Sequence, residues 1–129
     1  MFLLHVKMIS SSILEMQRGE WPETLIQFPI AQVYIHVEAA DLMRFRAAEF
    51  FDRGEPCGPE ANMAKLLAAD ASWEAANVAM QTFGGYGFNV DYDIERKFRE
   101  TKLYQVAPIS TNLILAYVGE HVLGLPRSY

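Results

Sequence analysis

The sequence of 129 residues predicts an all-α protein, folded as an up-and-down four-helix bundle. Apolar residues recur at helical spacing over long stretches, and no segment sustains the alternation of apolar and polar residues that a half-buried strand needs. Short segments rich in glycine and proline separate these stretches. Long helices that are joined by short loops pack as antiparallel neighbours, and this arrangement gives the bundle.

The first half of the chain predicts two helices with one break between them. Residues 2–18 favour a helix, and the segment 19–23 interrupts it because Pro22 cannot continue a helix. From residue 26 to about residue 53 the chain is amphipathic. The positions that follow helical spacing there, mostly apolar, are Phe28, Ala31, Tyr34, Val37, Asp41, Arg44, Ala48 and Phe51.

A loop of glycine and proline precedes the next predicted helix, which spans residues 59–83 and has Pro59 in its first turn. Alanine is abundant in this helix and allows close approach of its neighbours. The side chains predicted to face the core are Met63, Leu66, Leu67, Trp73, Ala76 and Met80.

The last third of the chain predicts a glycine turn at residues 84–92, a short charged helix over 93–103, and a final helix over 108–123 that begins at Pro108. Gly124 is a stop signal for that helix.

Bulk properties exclude several classes of protein. A length of 129 residues indicates one domain, and a net charge of −5 disfavours a nucleic-acid partner, which would prefer a basic face. No apolar run approaches the roughly 20 residues that a membrane span requires. The single cysteine, Cys57, cannot form an internal disulfide, so a reducing compartment such as the cytoplasm is expected, or the mitochondrial matrix in a eukaryote.

The most informative stretch is the end of the helix over 59–83 together with the glycine turn. Gln81 supplies an exposed amide, and Gly84 and Gly85 let another molecule approach the backbone. Arginines follow in the next helix. This combination suits a large anionic cofactor, although a helix cap and turn alone would explain the glycines equally well.

The pattern resembles the C-terminal helical domain of the flavin-dependent acyl-CoA dehydrogenase family. The resemblance covers roughly residues 14–124 and is strongest over 81–105. It leaves residues 1–24 as a poorly matching N-terminal helix and break, and residues 25–129 as the bundle. The motifs that carry it are the glycine turn, Tyr92-x-x-Glu95-Arg96-x-x-Arg99, Lys102, Gln105, Phe28-x-x-x-Gln32 and Arg18-x-x-Trp21.

The resemblance implies FAD at an interface between subunits, with eight residues of this chain beside it. Arg18 would pair with the pyrophosphate through its planar fork, and Trp21 would pack on the adenosine part. Gln81, Gly84 and Gly85 would line the cofactor of the neighbouring subunit. The set is completed by Ser110, Thr111 and Asn112 at the start of the last helix, where N–H groups favour anions.

The chain departs from the family at the position where a catalytic glutamate is common, because Pro108 stands there. The family reaction removes an α-proton from an acyl-CoA thioester, and proline cannot accept a proton. Some family branches keep this base on an earlier helix, and that place would precede Met1. No catalytic residue is therefore assigned in this chain.

The resemblance predicts the C-terminal part of an enzyme that desaturates an acyl-CoA thioester at its α,β-bond. Its expected partners are the acyl-CoA substrate, further copies in a dimer or tetramer, and an electron-transfer flavoprotein. Dehydrogenase and oxidase are not separated by these residues. A non-catalytic helical module for oligomerisation that has lost flavin chemistry is the alternative, and the proline at position 108 motivates it.

Several charged residues are expected to be structural. Asp41 has Arg44 one turn away, and Arg96 and Arg99 alternate with glutamates at helical spacing. The three histidines are scattered without the spacing of metal ligands, so no metal site is assigned.

Overall fold

The computed structural model describes residues 23–127, and their side chains from residue 26 onward. Every regular element in that part of the chain is helical, which confirms the predicted all-α class. The predicted helix over 2–18 and nearly all of the break after it lie outside the described residues. The helices are α1 (Glu23–Asp52), α2 (Gly58–Phe83), α3 (Ile94–Val106) and α4 (Thr111–Tyr117), which a π-helical turn (Val118–Val122) extends.

Helix α2 is the centre of the arrangement, because α1, α3 and α4 all pack against it. Helices α1 and α2 form an antiparallel hairpin: Val33 and Val37 lie against Ala71 and Ala75, whereas the beginning of α1 reaches the end of α2. The five-residue connection between Asp52 and Gly58 leaves room for no other direction.

Contacts between α2 and α3 run antiparallel as well. The rings of Trp73 and Phe98 lie 4.7 Å apart between centroids, and the Gln105 Nε2 donates a hydrogen bond of 2.9 Å to the Asp70 carboxylate. This bond gives the Asp70 carboxylate a partner on α3. The two contacts fix the angle at which α3 leaves the glycine turn.

Lys65 ties the end of α3 to the first half of α2. Its Nζ donates a hydrogen bond of 2.5 Å to the carbonyl oxygen of Tyr104. Burial lowers the pKa of this ammonium group, and the nearby charge of Asp70 acts in the opposite direction. The lysine is thus partly desolvated and holds a helix end in place.

The predicted core face of α2 is buried at Ala76 and partly buried at Met63, Leu66, Trp73 and Met80, but its fully buried positions are mostly alanines outside that prediction. Ala69, Ala75, Ala76 and Ala79 are each 2% exposed or less. Leu67 was predicted to be buried but is 37% exposed. Small side chains occupy the contact face of α2 because they let α1 approach closely. The larger apolar residues lie at the edges of that face.

The predicted stripe on α1 is likewise mostly the outer side of that helix. Val37 is buried, whereas Phe28, Tyr34 and Phe51 are exposed. The residues that face α2 instead lie one or two positions away, at Ile30 and in the cluster around Val33. Both sides of α1 are apolar, so spacing alone did not identify the inner one.

The last helix begins later than predicted. Pro108 is not its first residue, because Ala107 is extended and Ser110 is the N-cap. The Ser110 hydroxyl accepts a hydrogen bond of 3.3 Å from the Leu113 backbone N–H. The N–H groups in the first turn of a helix have no partner within the helix. The Ser110 hydroxyl satisfies one of them, and this sets the start of α4 at Ser110 rather than at Pro108. Gly124, with φ of +68°, ends the helical run as predicted.

The predicted ion pairs on α1 and α3 are confirmed. The Arg44 Nε donates a hydrogen bond of 2.7 Å to the Asp41 carboxylate, and Arg99 pairs with Glu95 at 2.8 Å. Exposed pairs of this kind each contribute about 0–1 kcal/mol to stability. They support helices rather than a site.

Among the helices of residues 23–127, none has an apolar stretch of the length that a membrane span requires.

The alanine face gives a direct test of the packing. Replacing the fully buried Ala79 with leucine (Ala79→Leu) inserts three carbons between α1 and α2. We expect the free energy of unfolding to fall by about 1–3 kcal/mol, because overpacking displaces the neighbouring helix. Urea unfolding followed by circular dichroism measures the change. The control is Ala61→Leu at an exposed position of the same helix, and an equal loss in both variants would contradict the account.

Candidate functional site

The glycine turn begins where α2 ends at Phe83. Gly84 adopts φ of +54° and ψ of −131°, a conformation that residues with a side chain avoid, and its N–H donates to the carbonyl oxygen of Met80. Two short 3₁₀ turns, Gly84–Phe88 and Val90–Tyr92, then carry the chain to α3. The turn therefore depends on a glycine at position 84 for its backbone conformation.

Gly85 differs from Gly84 in this respect. Its φ is not positive, and a Cβ added there would meet no heavy atom within 4 Å. Nothing within the described chain thus requires glycine at position 85. A residue with no side chain in an open, exposed position fits close approach by a molecule from outside the chain.

Gln81 lies on the last turn of α2, next to these glycines. Its side chain is exposed and makes no hydrogen bond to another described residue. A side-chain amide offers both a donor and an acceptor, so Gln81 can bind a polar group that approaches the turn. The structure therefore brings Gln81, Gly84 and Gly85 together on one exposed corner.

The underside of the turn is packed against the bundle. Phe83 is buried and meets the ring of Tyr92 edge to face at 5.8 Å between centroids. Gly87 is buried as well, and a Cβ there would lie 3.1 Å from the Met80 sulfur. These contacts hold the turn from below, so that its outer surface has a fixed shape.

Three apolar side chains of the turn that follow the open glycine in the sequence are exposed. Tyr86, Phe88 and Val90 are 63%, 75% and 74% exposed. Sequence reasoning did not assign them a role. The sequence signal that could have identified them is an apolar residue at every second position from 86 to 90. A turn that faces only water has no need for such residues.

Arg96, at the start of α3, is already occupied by carboxylates. Asp93 adopts a left-handed conformation with φ of +61° and accepts hydrogen bonds from the Arg96 guanidinium, which also pairs with Glu100. These hydrogen bonds raise the pKa of Arg96. The arginine is therefore structural, as predicted, and it fixes the exit of the glycine turn.

The second group of predicted residues lies elsewhere. Helix α4 packs near the start of α2, where a Cβ on Gly58 would fall 2.6 Å from the Tyr117 hydroxyl. The glycine turn follows the other end of α2, a helix of 26 residues and thus about 39 Å long. Ser110, Thr111 and Asn112 are therefore not part of the corner at Gln81.

The group at 110–112 has its own surroundings. The Ser110 hydroxyl is used as the helix cap, and Asn112 is exposed at the edge of a cavity of about 380 Å³. That cavity is lined by α4 and by the chain after Gly124, including Arg127. An amide and a guanidinium are thus placed on one small concave surface.

Arg18 and Trp21, the two remaining predicted residues, lie outside the described residues. Pro108 is exposed and has no carboxylate to offer.

Comparisons with known proteins give a consistent result. The family model described as "Acyl-CoA dehydrogenase, C-terminal domain" matches residues 17–123. The chain is 43% identical over 103 residues to Acyl-CoA dehydrogenase FadE12 of Mycobacterium tuberculosis (strain ATCC 25618 / H37Rv), covering 78% of this chain and 26% of that protein. It is 37% identical over 99 residues to an acyl-CoA dehydrogenase of Bacillus subtilis (strain 168), covering 77% and 26% respectively.

A solved structure agrees. Butyryl-CoA dehydrogenase from Megasphaera elsdenii superimposes with a TM-score of 0.85 and 26% sequence identity, over 95% of this chain and 34% of that one. This chain spans about a quarter of the length of the two curated relatives named above.

Alanine substitutions at the two adjacent glycines are predicted to differ in their effect on the free energy of unfolding. Gly84→Ala forces a side chain into a positive-φ conformation and should lower the free energy of unfolding by about 1–3 kcal/mol. Gly85→Ala meets open space at an ordinary φ and should change it by less than about 1 kcal/mol in either direction. Thermal and urea unfolding of both variants measure the difference. Equal destabilisation by the two substitutions would show that Gly85 also serves the fold.

Proposed function

Because this chain belongs to the acyl-CoA dehydrogenase family and matches its C-terminal domain over residues 17–123, we propose that it serves as that domain in an enzyme that desaturates acyl-CoA thioesters at the α,β-bond. In this role it contributes FAD contacts and an oligomer interface. The remaining parts of the cofactor and substrate sites come from polypeptide beyond the quarter that the chain represents.

The observation that carries the proposal is the open corner at the end of α2. Gly85 has no reason within the described chain to lack a side chain, and the Gln81 amide beside it has no partner there. Both features are explained if a planar, polar molecule lies against the turn. The packing of Phe83 and Gly87 against the bundle keeps the outer surface of the turn in one shape before the molecule binds.

The residues at this corner fit FAD. The Gln81 amide can donate to and accept from the polar edge of the cofactor, and the bare backbone at Gly84 and Gly85 lets it come close. The exposed rings of Tyr86 and Phe88 add apolar surface near the same corner. When bound, FAD would accept the hydride that leaves the β-carbon of the substrate.

The group at Ser110, Thr111 and Asn112 is proposed to contact FAD from a different direction. Its separation from the glycine turn along α2 means that the two groups need not touch the same cofactor molecule. In an oligomer, one group would lie beside the cofactor of its own subunit and the other beside that of a neighbour. Arg18 and Trp21 are proposed to complete the contacts to the pyrophosphate and adenosine.

The proton acceptor for this reaction is proposed to come from outside the described residues. Pro108 stands where the family resemblance implies a glutamate, and it is exposed without any acceptor group. A carboxylate carried by another segment of the intact enzyme would therefore take the α-proton. The chain by itself should not turn over substrate.

Assembly is part of the proposal. The exposed apolar side chains on the glycine turn favour contact with further protein, and we propose a homodimer or homotetramer. An electron-transfer flavoprotein would accept the electrons. A single free cysteine supports a reducing compartment, the cytoplasm or the mitochondrial matrix.

One observation favours a second candidate, a helical oligomerisation module without flavin chemistry. That observation is Pro108, since a chain released from catalysis has no need of a base there. The two candidates differ at Gly85: a module that needs only apolar contacts does not require an open backbone next to a glutamine.

The test is a complementation experiment. The chain is coexpressed with a homologous acyl-CoA dehydrogenase that lacks its C-terminal domain, and retained flavin is measured by its visible absorbance. We expect Gln81→Ala to weaken flavin retention about two- to tenfold, the effect of one lost hydrogen bond. Gly85→Leu should weaken it more, because its side chain occupies the space that the cofactor needs.

The control for both variants is Glu55→Ala, an exposed position in the loop at the opposite end of α2. It should leave flavin retention unchanged. Normal flavin retention in Gln81→Ala and Gly85→Leu would refute the cofactor role and leave the oligomerisation module. Sedimentation of each assembly separates loss of flavin from loss of association.

A further inference from the structure

Three aromatic rings connect the core to the outer surface of the glycine turn. The ring of Tyr92 meets the ring of the buried Phe83 at 5.8 Å between centroids, and it also meets the ring of Tyr86 at 5.7 Å. In both contacts the ring planes stand at 65° to each other, an edge-to-face arrangement that aromatic pairs favour. Because Tyr86 directly follows Gly85 in the sequence, these contacts link the open glycine to the core.

The position of Tyr92 depends on the residue that follows it. Asp93 is the N-cap of α3 and adopts a left-handed backbone conformation, with φ of +61° and ψ of 2°. Aspartate is one of the few residues with a side chain that enter this conformation readily. The bend at Asp93 sets the direction in which the second 3₁₀ turn joins α3, and it therefore sets where the Tyr92 ring lies.

The Asp93 carboxylate holds this bend in place. Both of its oxygens accept hydrogen bonds from the Arg96 guanidinium, one from Nε and one from Nη2. The same guanidinium donates a hydrogen bond of 2.5 Å from Nη1 to the Glu100 carboxylate. A two-point contact between a guanidinium and a carboxylate fixes their relative orientation as well as their distance. The residue before α3 is thus attached to the first two turns of that helix.

These contacts order the turn more than they stabilise the helices. The core around Phe83 consists of Ala79, Ile94 and partly buried apolar side chains of α1 and α2. Tyr92 and Tyr86 lie outside that core, since they are 47% and 63% exposed. Removing the contact between these two rings leaves the packing of α1 against α2 intact, so its main effect falls on the glycine turn.

We propose that Tyr92 and Asp93 are positioning residues for the candidate site at the end of α2. Asp93 holds the Tyr92 ring, and the Tyr92 ring holds the segment that contains Gly85 and Tyr86 in the shape that receives a cofactor. Both residues act through the shape of the turn and not by contact with the cofactor. Their effect on FAD rests on the proposed function, whereas their effect on the turn is a property of the chain by itself.

Hydrogen exchange in the chain alone, measured by NMR at single residues, tests the effect on the turn. The Asn89 N–H donates a hydrogen bond of 3.0 Å to the Tyr86 carbonyl oxygen, so its exchange rate reports the order of this segment. Tyr92→Leu removes the ring and should speed exchange at Asn89 about two- to tenfold, the effect of losing an aromatic contact. Tyr92→Phe keeps the ring and should exchange at the parent rate.

Asp93→Gly separates the carboxylate from the backbone bend. Glycine adopts the left-handed conformation more readily than aspartate, so the bend is retained and only the bond to Arg96 is lost. We expect exchange at Asn89 to rise about two- to tenfold in this variant as well. The matched control is Tyr34→Leu at a tyrosine of α1 that is 57% exposed, and it should leave exchange at Asn89 unchanged.

Flavin retention in the complemented assembly tests the effect on the cofactor. Tyr92→Leu and Asp93→Gly should each weaken retention about two- to tenfold, whereas Tyr92→Phe should retain flavin at the parent level. Urea unfolding of each variant, followed by circular dichroism, separates loss of order in the turn from loss of the fold.

Four results would overturn the proposal. Exchange at the parent rate in Tyr92→Leu or Asp93→Gly would show that the residue does not order the turn. Exchange that rises equally at Asn89 and throughout α2 would show a general loss of stability. Faster exchange at Asn89 with normal flavin retention, while Gly85→Leu loses flavin, would remove the positioning role and leave the proposed function intact. Normal retention in Gly85→Leu as well would overturn the proposed function together with the positioning role.

Discussion

The close contact between α1 and the alanine face of α2 is the constraint on which the rest of the structure depends. Ala75 and Ala79 are almost fully buried, and their small size lets the two helices approach until Val33 and Val37 fill the remaining space. Helix α3 then lies on another side of α2 through the contact of Trp73 with Phe98. Because α2 contacts α1, α3 and α4, its position determines where its last turn points.

That last turn determines the candidate site. Phe83 and Gly87 are held by the core, Gly84 reverses the chain with a conformation that needs glycine, and Gly85 is left in open space. The fold therefore accounts for three of these four residues and leaves one unexplained. Gly85 therefore has no explanation in the fold, and the Gln81 beside it has no hydrogen-bond partner among residues 23–127. The FAD contact that we propose would explain both.

Helical periodicity was sufficient to predict the helices of the described part of the chain, and the glycine pattern marked the turn that forms the candidate site. Helical periodicity did not predict which side of a helix is buried. Phe28 and Leu67 are large and apolar yet exposed, because alanine decides the contact distance and both sides of α1 are apolar. The predicted start of α4 at Pro108 was wrong, because the helix begins after the N-cap residue Ser110 and not at the proline. The separation of Asn112 from Gln81 depends on tertiary packing, which no local pattern contains.

The most direct measurement of the central claim is hydrogen exchange followed by mass spectrometry. The chain would be compared alone and in the assembly with the other domains, each with and without FAD. The account predicts that FAD slows exchange in the assembly at residues 81–88 and again around 110–113, and that it changes nothing in the chain alone. Protection by FAD at neither place, with flavin bound to the assembly, would contradict the claim that these residues contact the cofactor.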